Sequence, residues 1–382
     1  MNYDDLFELI KLSLWNAGSP KVDLAVFDEM KAHAIAALPA TVLPSLIIDP
    51  ELLQSWKKIL LQQIAYFAQY KYVQANLPIT VPYVILKGTT ASQYYPSPEL
   101  RTLGDIDLMT KPEDCAYACE QMLENGWTEV TSSDDQERGR HRSFKKHGII
   151  VEIHVFFASM NDVNKARFLD DMIVSNIDST HILPDMINGL VLIDHINQHM
   201  ETGIGLRQII DWMMFTDKCL PDGKWLEFER LVEKTGLKKL ALVTTRMCEI
   251  YLGLSPHQWC ANVSEKLCSD YLMYVMDSGN FGKKRVGSDP INMIRIAKLK
   301  HPIRMIIELQ RMGRSNWCLA DHFLFRSFAW VWQGIQLIKG TPKSYLAIKT
   351  ASRNNALLKS LGVKRSADGL VTYENGEYVK KR

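Results

Sequence analysis

Apolar residues recur at helical spacing through the first 76 positions, as in Leu6, Ile10 and Leu14 and again in Ile59, Ile64 and Phe67. Pro39, Pro44 and Pro50 punctuate this stretch. Asp49-Pro50-Glu51 has the form of a helix start, with an Asp cap and Pro at the first helical position. The pattern changes at Leu77-Pro78. Val81 to Leu86 is a short, mostly apolar run ending in Lys87-Gly88, which predicts a buried strand with Pro82 confined to its first residues. A helical stretch over Thr89 to Tyr95 follows, then a turn at Pro96-Ser97-Pro98 and a strand over Asp105 to Met109. Pro112 to Asn125 predicts a helix stopped by Gly126. Trp127 to Thr131 predicts a further strand and Ser132 to Arg140 a polar loop. Arg142 to Lys146 and Ile149 to Phe157 then predict a hairpin closed near His147-Gly148. From about Leu183 helical spacing dominates again, and Gly279 to Asp289 is a Gly- and Lys-rich break with the character of a mobile loop.

These elements predict an α+β fold: a small mixed-sheet core over residues 77–182, an N-terminal helical region over 1–76, a C-terminal helical region over 183–365, and a tail over 366–382. The core holds about 100 residues, an ordinary domain size. Composition adds bounds. A chain of 382 residues, 47% hydrophobic, has ample material for two or three packed units. A net charge of +2 provides no global field toward nucleic acid or an acidic membrane, so there is no strong nucleic-acid signature. Asp4 and Asp5 stand where a secretory signal is basic. Phe323 to Ile338 contains Arg326 and Gln333 and falls short of the roughly 20 apolar residues of a membrane span, which predicts a buried amphipathic helix and no span. The seven cysteines are scattered without a CxxC pair, as expected for reduced thiols in a cytoplasmic protein.

The chemistry concentrates in the predicted core. Asp105 and Asp107 lie two apart on one strand, so strand alternation sends both carboxylates to one face and Ile106 and Leu108 to the other. Two carboxylates side by side repel unless a cation lies between them, and hard oxygen ligands suit Mg²⁺ or Mn²⁺. Glu152 interrupts the apolar run Ile149 to Val155 and is costly to bury without a partner. If its strand lies beside the Asp strand, Glu152 is a third ligand or a base. The bland reading is an exposed strand edge, with Glu152 paired to an Arg. Upstream, Gly88 at a strand-to-helix junction permits close approach of a phosphate, with the Thr89 hydroxyl and Lys87 completing an anion site; an ordinary Gly turn with a Thr cap is the alternative.

Taken together, these pieces resemble the nucleotidyltransferase superfamily typified by DNA polymerase β. There a strand, Gly-Ser or Gly-Gly, a helix, an Asp-x-Asp strand and a later acidic strand follow in order. Here they are Lys87-Gly88-Thr89, Asp105-Ile106-Asp107 and Glu152, with Thr89 in place of Ser or Gly. A closer resemblance is to a bacterial family of uncharacterised nucleotidyltransferases, marked by Leu86-Lys87-Gly88, Arg101-Thr102-Leu103-Gly104-Asp105-Ile106-Asp107-Leu108, Glu152-Ile153-His154, His195, His199 and Leu206-Arg207 with Asp211-Trp212. That match covers about residues 80–215. It implies a nucleotidyltransferase core and Mg²⁺-dependent use of an NTP donor, with Asp105, Asp107 and Glu152 as catalytic metal ligands. Lys87, Gly88, Thr89, Arg101, Gly104 and His154 are then the NTP contacts. It supplies no acceptor, which is left as a small molecule, a protein or an RNA end.

Several flanking residues have two readings. Arg101 either takes a triphosphate oxygen or braces Asp105 or Glu152. His154 shares a face with Glu152 and contacts phosphate or acceptor, or is a packed histidine. His195 and His199 share a helix face but lack a third ligand for zinc, which favours a structural or pocket-lining role. Arg207 and Asp211 are spaced as a helix-face ion pair. A non-catalytic nucleotide-binding or interaction module, and a toxin-like nucleotidyltransferase, are the alternatives to a metabolic transferase.

Overall fold

The computed structural model describes residues 3–46, 48–130, 140–177, 180–282 and 284, parts of 306–363, and 370–381 apart from 375. Met1–Lys284 together with Gly362–Arg382 form one compact unit, and Arg285–Leu361 a second. Of the expected polar loop Ser132 to Arg140, all but Arg140 lies outside the described residues, as does most of the expected mobile break over 279–289.

Helices α1 (Asp4–Trp15) and α2 (Leu24–Ala32) precede the long α3 (Pro50–Ala75). The Asp49 carboxylate accepts the Glu51 and Leu52 amides at 3.0 and 3.1 Å, and Pro50 occupies the first helical position, as expected. The core sheet comprises β1 (Tyr83–Leu86), β2 (Ile106–Thr110), β3 (Thr128–Val130), β4 (His141–Lys146) and β5 (Ile149–His154), in spatial order β1-β2-β5-β4-β3. Only the β2–β5 pair is parallel, so the sheet is mixed. Between β1 and β2 runs the short α4 (Gly88–Ser92), and α5 (Cys115–Glu124) leads from β2 toward β3. The hairpin of β4 and β5 is closed by His147 and Gly148 at φ 50° and 81°. Two consecutive left-handed residues give the turn a twist that matches the strands.

Alternation sorts the sheet. Ile85, Ile106, Leu108, Val151 and Ile153 bury one face against Ala118, Cys119 and Met122 of α5 and Tyr70 and Val73 of α3. The opposite face carries Asp107, Glu152 and His154. The helices α6 (Val163–Val174), α7 (Asp185–His199), α8 (Leu206–Cys219), α9 (Asp222–Thr235), α10 (Lys238–Leu252) and α11 (Glu265–Ser278) follow; α7 and α8 bring His195, His199 and Arg207 to that polar face, and α8 is almost wholly buried. The expected α+β class is therefore the observed one, a small mixed sheet with helical flanks.

The stretch 366–382 differs from a solvated tail. It holds a hairpin of β6 (Leu370–Glu374) and β7 (Glu377–Lys381), with Gly376 at φ 83° in its turn. Tyr373 and Tyr378 pack on Phe156, and the Tyr378 hydroxyl donates to the buried Asp170 at 2.7 Å. The reason was present in Asn375-Gly376 between alternating residues, a strong hairpin signal. In the second unit α12 (Ala329–Lys339) begins inside the expected apolar helix of 323–338. No described helix is long and apolar enough to cross a membrane. The cysteines among the described residues are unpaired as disulfides.

Candidate active site

The in-register parallel pairing of Asp107 with Glu152 decides the geometry of the site. Asp105 stands just ahead of β2, and ligand oxygens of Asp105, Asp107 and Glu152 lie within 4.8 Å of one another. All three line a cavity of about 300 Å³, together with Lys87, Gly88, Arg101, Gly104 and His154. His195, His199, Arg207 and Phe281 line its other side. Of the expected site residues, Thr89 alone is absent from this lining. Its hydroxyl donates to Gln74 Oε1 at 2.7 Å, and it lines a separate pocket with Lys71 and His181.

The loop into α4 is strained in a specific way. Lys87 is a non-glycine residue at φ 54°, a conformation that costs about 1–3 kcal/mol and persists only where surroundings enforce it. Its ammonium is held by Asp107 Oδ1 at 2.8 Å. Gly88 follows at φ 49°, and a Cβ there would lie 2.6 Å from the Tyr70 hydroxyl. Glycine is thus required twice, by backbone conformation and by the close approach of Tyr70.

That tyrosine belongs to a clamp which sequence reasoning missed. Gln63 donates to the carbonyls of Glu99 and Arg101 at 3.1 and 2.9 Å, Tyr66 to that of Gly104 at 2.8 Å, and Tyr70 to that of Asp105 at 2.8 Å. The three side chains stand at positions i, i+3 and i+7 of α3, one stripe of the helix. The spacing was visible, but it looks identical to that of an ordinary core stripe. Its effect is to hold the main chain of residues 99–105 so that Asp105 and Asp107 enter the cavity at a fixed height.

Electrostatics follow from this crowding. The Asp105 carboxyl is pushed up, chiefly by the neighbouring Asp107 carboxylate and then by burial. Burial opposes charge on Lys87, but Asp107, Asp105 and Glu152 outweigh it and hold the ammonium above its usual range. His154 Nε2 lies 3.0 Å from Asp107 Oδ1 and 3.6 Å from Glu152 Oε2. Burial lowers its proton affinity, and these two carboxylates more than reverse that, so His154 is raised. Glu152 is lowered, with burial overcome by His154 and His141.

The residual repulsion between Asp105 and Asp107 is the sign of a site that fits a hard divalent cation. A second group of possible ligands, His141, Glu152 and His154, shares Glu152 with the first. Neither group includes His195 or His199, whose rings meet edge to face 4.8 Å apart and line the cavity.

The arginines depart from expectation. Arg101 braces neither Asp105 nor Glu152. Its fork is filled by Asp211, with Nε to Oδ1 at 2.8 Å and Nη2 to Oδ2 at 2.6 Å, and Tyr95 donates to the same Oδ1 at 2.7 Å. The expected helix-face pair of Arg207 with Asp211 is consequently not formed. Arg207 Nη1 reaches the Thr102 carbonyl at 3.3 Å, and its guanidinium lies 5.4 Å from the centre of the Phe281 ring. The 110 residues between Arg101 and Asp211 hid this pairing, because helical spacing favours the local alternative.

Comparison with curated proteins and with solved structures finds no match. Residues 23–253, spanning the clamp, the sheet and helices α6 to α10, match the family model described as uncharacterised nucleotidyltransferase, and the chain belongs to that family.

Proposed function

We propose that the protein transfers a nucleoside monophosphate from an NTP to a hydroxyl acceptor, with Mg²⁺ or Mn²⁺ held by Asp105, Asp107 and Glu152. The observation that carries this reading is the convergence of three carboxylates from two paired strands within 4.8 Å, beside a buried Lys87. The order of elements also agrees with the polymerase β-like superfamily. A divalent ion in that position supplies charge neutralisation of the phosphates and orientation of the entering and leaving oxygens.

The chain's own residues do the positioning. Lys87 brings a fixed positive charge to the carboxylate cluster, and Gly88 leaves the main chain open to a phosphate. Glu152 is the carboxylate placed to accept a hydrogen bond from the acceptor hydroxyl, while His154 holds Asp107 and Glu152 in place. Gln63, Tyr66 and Tyr70 fix the approach of Asp105 through the backbone. The acceptor is a small molecule, a protein or an RNA end. Mass spectrometry of the purified protein incubated with mixed NTPs, Mg²⁺ and cell extract identifies which gains a nucleotide. Pyrophosphate release in the same mixture is expected to fall on the order of 1000-fold in Asp105→Asn and in Glu152→Gln. Release at the native rate in both variants overturns the assignment.

A binding role without turnover is the second reading. The Lys87–Asp107 ion pair favours it, because it gives Asp107 a resident counter-charge. It predicts NTP binding that EDTA leaves unchanged, with no pyrophosphate release. A toxin-like transferase is distinguished by growth arrest on expression, relieved by Asp107→Asn.

A further inference from the structure

The helix wall of the cavity carries a charge that has no ion-pair partner among the described residues. Arg207 of α8 is 8% exposed and lines the cavity. Its Nε has no hydrogen-bond partner, and no carboxylate lies within 4.0 Å of it among the described residues. The nearest acid along the helix, Asp211, is fully engaged by Arg101 and Tyr95. What remains is one bond to the Thr102 carbonyl and the face of Phe281. Taking a guanidinium out of water without a counter-charge is costly, and the protein gains nothing by it unless an anion arrives. Burial and the neighbouring Arg101 oppose the charge on Arg207, and Asp211 and Asp105, beyond ion-pair range, offset this only in part. Burial, with Lys87, His199, Arg207 and Arg101 nearby, holds the adjacent His195 well below its usual range and therefore neutral.

We infer that Arg207 binds the terminal phosphates of the donor nucleotide, and the pyrophosphate that leaves. The inference rests on the nucleotidyl-transfer reading for the identity of the ligand. A guanidinium fork is matched to phosphate oxygens, and Nε with its neighbouring Nη forms one edge of that fork. The cavity is polarised, with Asp105, Asp107 and Glu152 on the sheet wall and Arg207 on the helix wall. At about 300 Å³ it is small enough for one polyphosphate chain to reach both walls. The cation-binding carboxylates then take the phosphate being transferred, and Arg207 takes the end that departs. Arg101, for which the sequence offered a triphosphate contact as one of two readings, gives Nε and Nη2 to Asp211 and Nη1 to the Thr102 carbonyl.

Calorimetric titration with sodium tripolyphosphate, ATP and AMP at fixed Mg²⁺ tests the assignment on the full chain. Arg207→Gln is expected to weaken tripolyphosphate and ATP about 100-fold and leave AMP unchanged, since AMP lacks the phosphates concerned. The variant is also expected to melt no lower than the native protein, because an uncompensated buried charge has been removed. Tripolyphosphate bound equally by native and variant protein, or not bound by the native protein, overturns the inference. Should Arg207→Gln fail to fold, Arg207→Lys keeps the charge and loses the fork. It is expected to weaken tripolyphosphate but not AMP, and equal weakening of both overturns the inference. A native protein that binds tripolyphosphate through Arg207 yet releases no pyrophosphate keeps the anion site and removes nucleotidyl transfer. Transfer that Arg207→Gln leaves at the native rate keeps the transfer reading and overturns the anion site.

Discussion

On the sheet side of the cavity, Lys87, Asp107, Glu152 and His154 all stand within ion-pairing distance of an opposite charge, whereas on the helix side Arg207 faces the same space with no carboxylate in reach among the described residues. Arg101, six residues ahead of Asp107, shows the other extreme, with both arms of its fork filled. Two arginines border one cavity, and they do different work. Where partners are complete, the charge fastens one part of the fold to another. Where they are incomplete, the charge is available to a ligand. The carboxylates occupy a middle position, paired on one flank and mutually repelling on the other.

The largest stability effect that tests this contrast is at Arg101. Arg101→Met leaves Asp211 buried without its cation and is expected to cost about 3–5 kcal/mol in denaturant unfolding. An absence of loss, as is expected of Arg207→Gln, would erase the distinction between the two arginines.

Asp170 extends the comparison to a carboxylate with hydrogen bonds but no ion pair among the described residues. It accepts the Phe157 and Ala158 amides at 2.9 Å each and the Tyr378 hydroxyl. Burial nevertheless pushes it from 3.8 up to about 6. A raised folded-state value means that the native protein holds the proton longer than the unfolded chain. Its contribution is therefore greatest below about pH 4 and is lost as pH rises to about 6, on the order of 2–3 kcal/mol in all. Asp170→Asn should flatten that part of a plot of stability against pH, and an unaltered slope would refute the assignment.

A smaller effect belongs to the α3 clamp. Tyr70→Phe removes one hydrogen bond to the Asp105 carbonyl, at about 1 kcal/mol of stability. The looser main chain should also weaken Mn²⁺ binding about tenfold, measured by paramagnetic relaxation of water protons. Unchanged Mn²⁺ affinity would show that the clamp supports the fold alone. The smallest effect has the opposite sign. Asp105→Asn relieves repulsion from Asp107, so its melting temperature should lie slightly above the native value even as the activity disappears. A lower melting temperature would mean that Asp105 is structurally satisfied.

Legibility in the sequence followed the range of the interaction. Strand alternation over Asp105-Ile106-Asp107 and Ile149 to His154 foretold which side chains share a face, and the hairpin at His147-Gly148 was readable from local turn chemistry. Nothing local joins Arg101 to Asp211, Thr89 to Gln74 or Gln63 to the Arg101 carbonyl, since each depends on how whole elements pack. Helical spacing even pointed the wrong way at Asp211, where a partner four residues off lost to one 110 residues away. The residues of the carboxylate cluster were legible because two adjacent strands fix them. The roles of the arginines were not, because they are settled only when the helices lie over the sheet.

The α3 clamp takes hold of carbonyl oxygens and of no side chain in residues 99–105. Main-chain oxygens are common to every amino acid, so these hydrogen bonds do not depend on the identity of Thr102, while Leu103 adds its side chain to the buried cluster with Tyr70 and Val73. Such an arrangement separates address from message: one helix secures where the segment lies through its main chain, and the Asp105 and Asp107 carboxylates are left to the cavity.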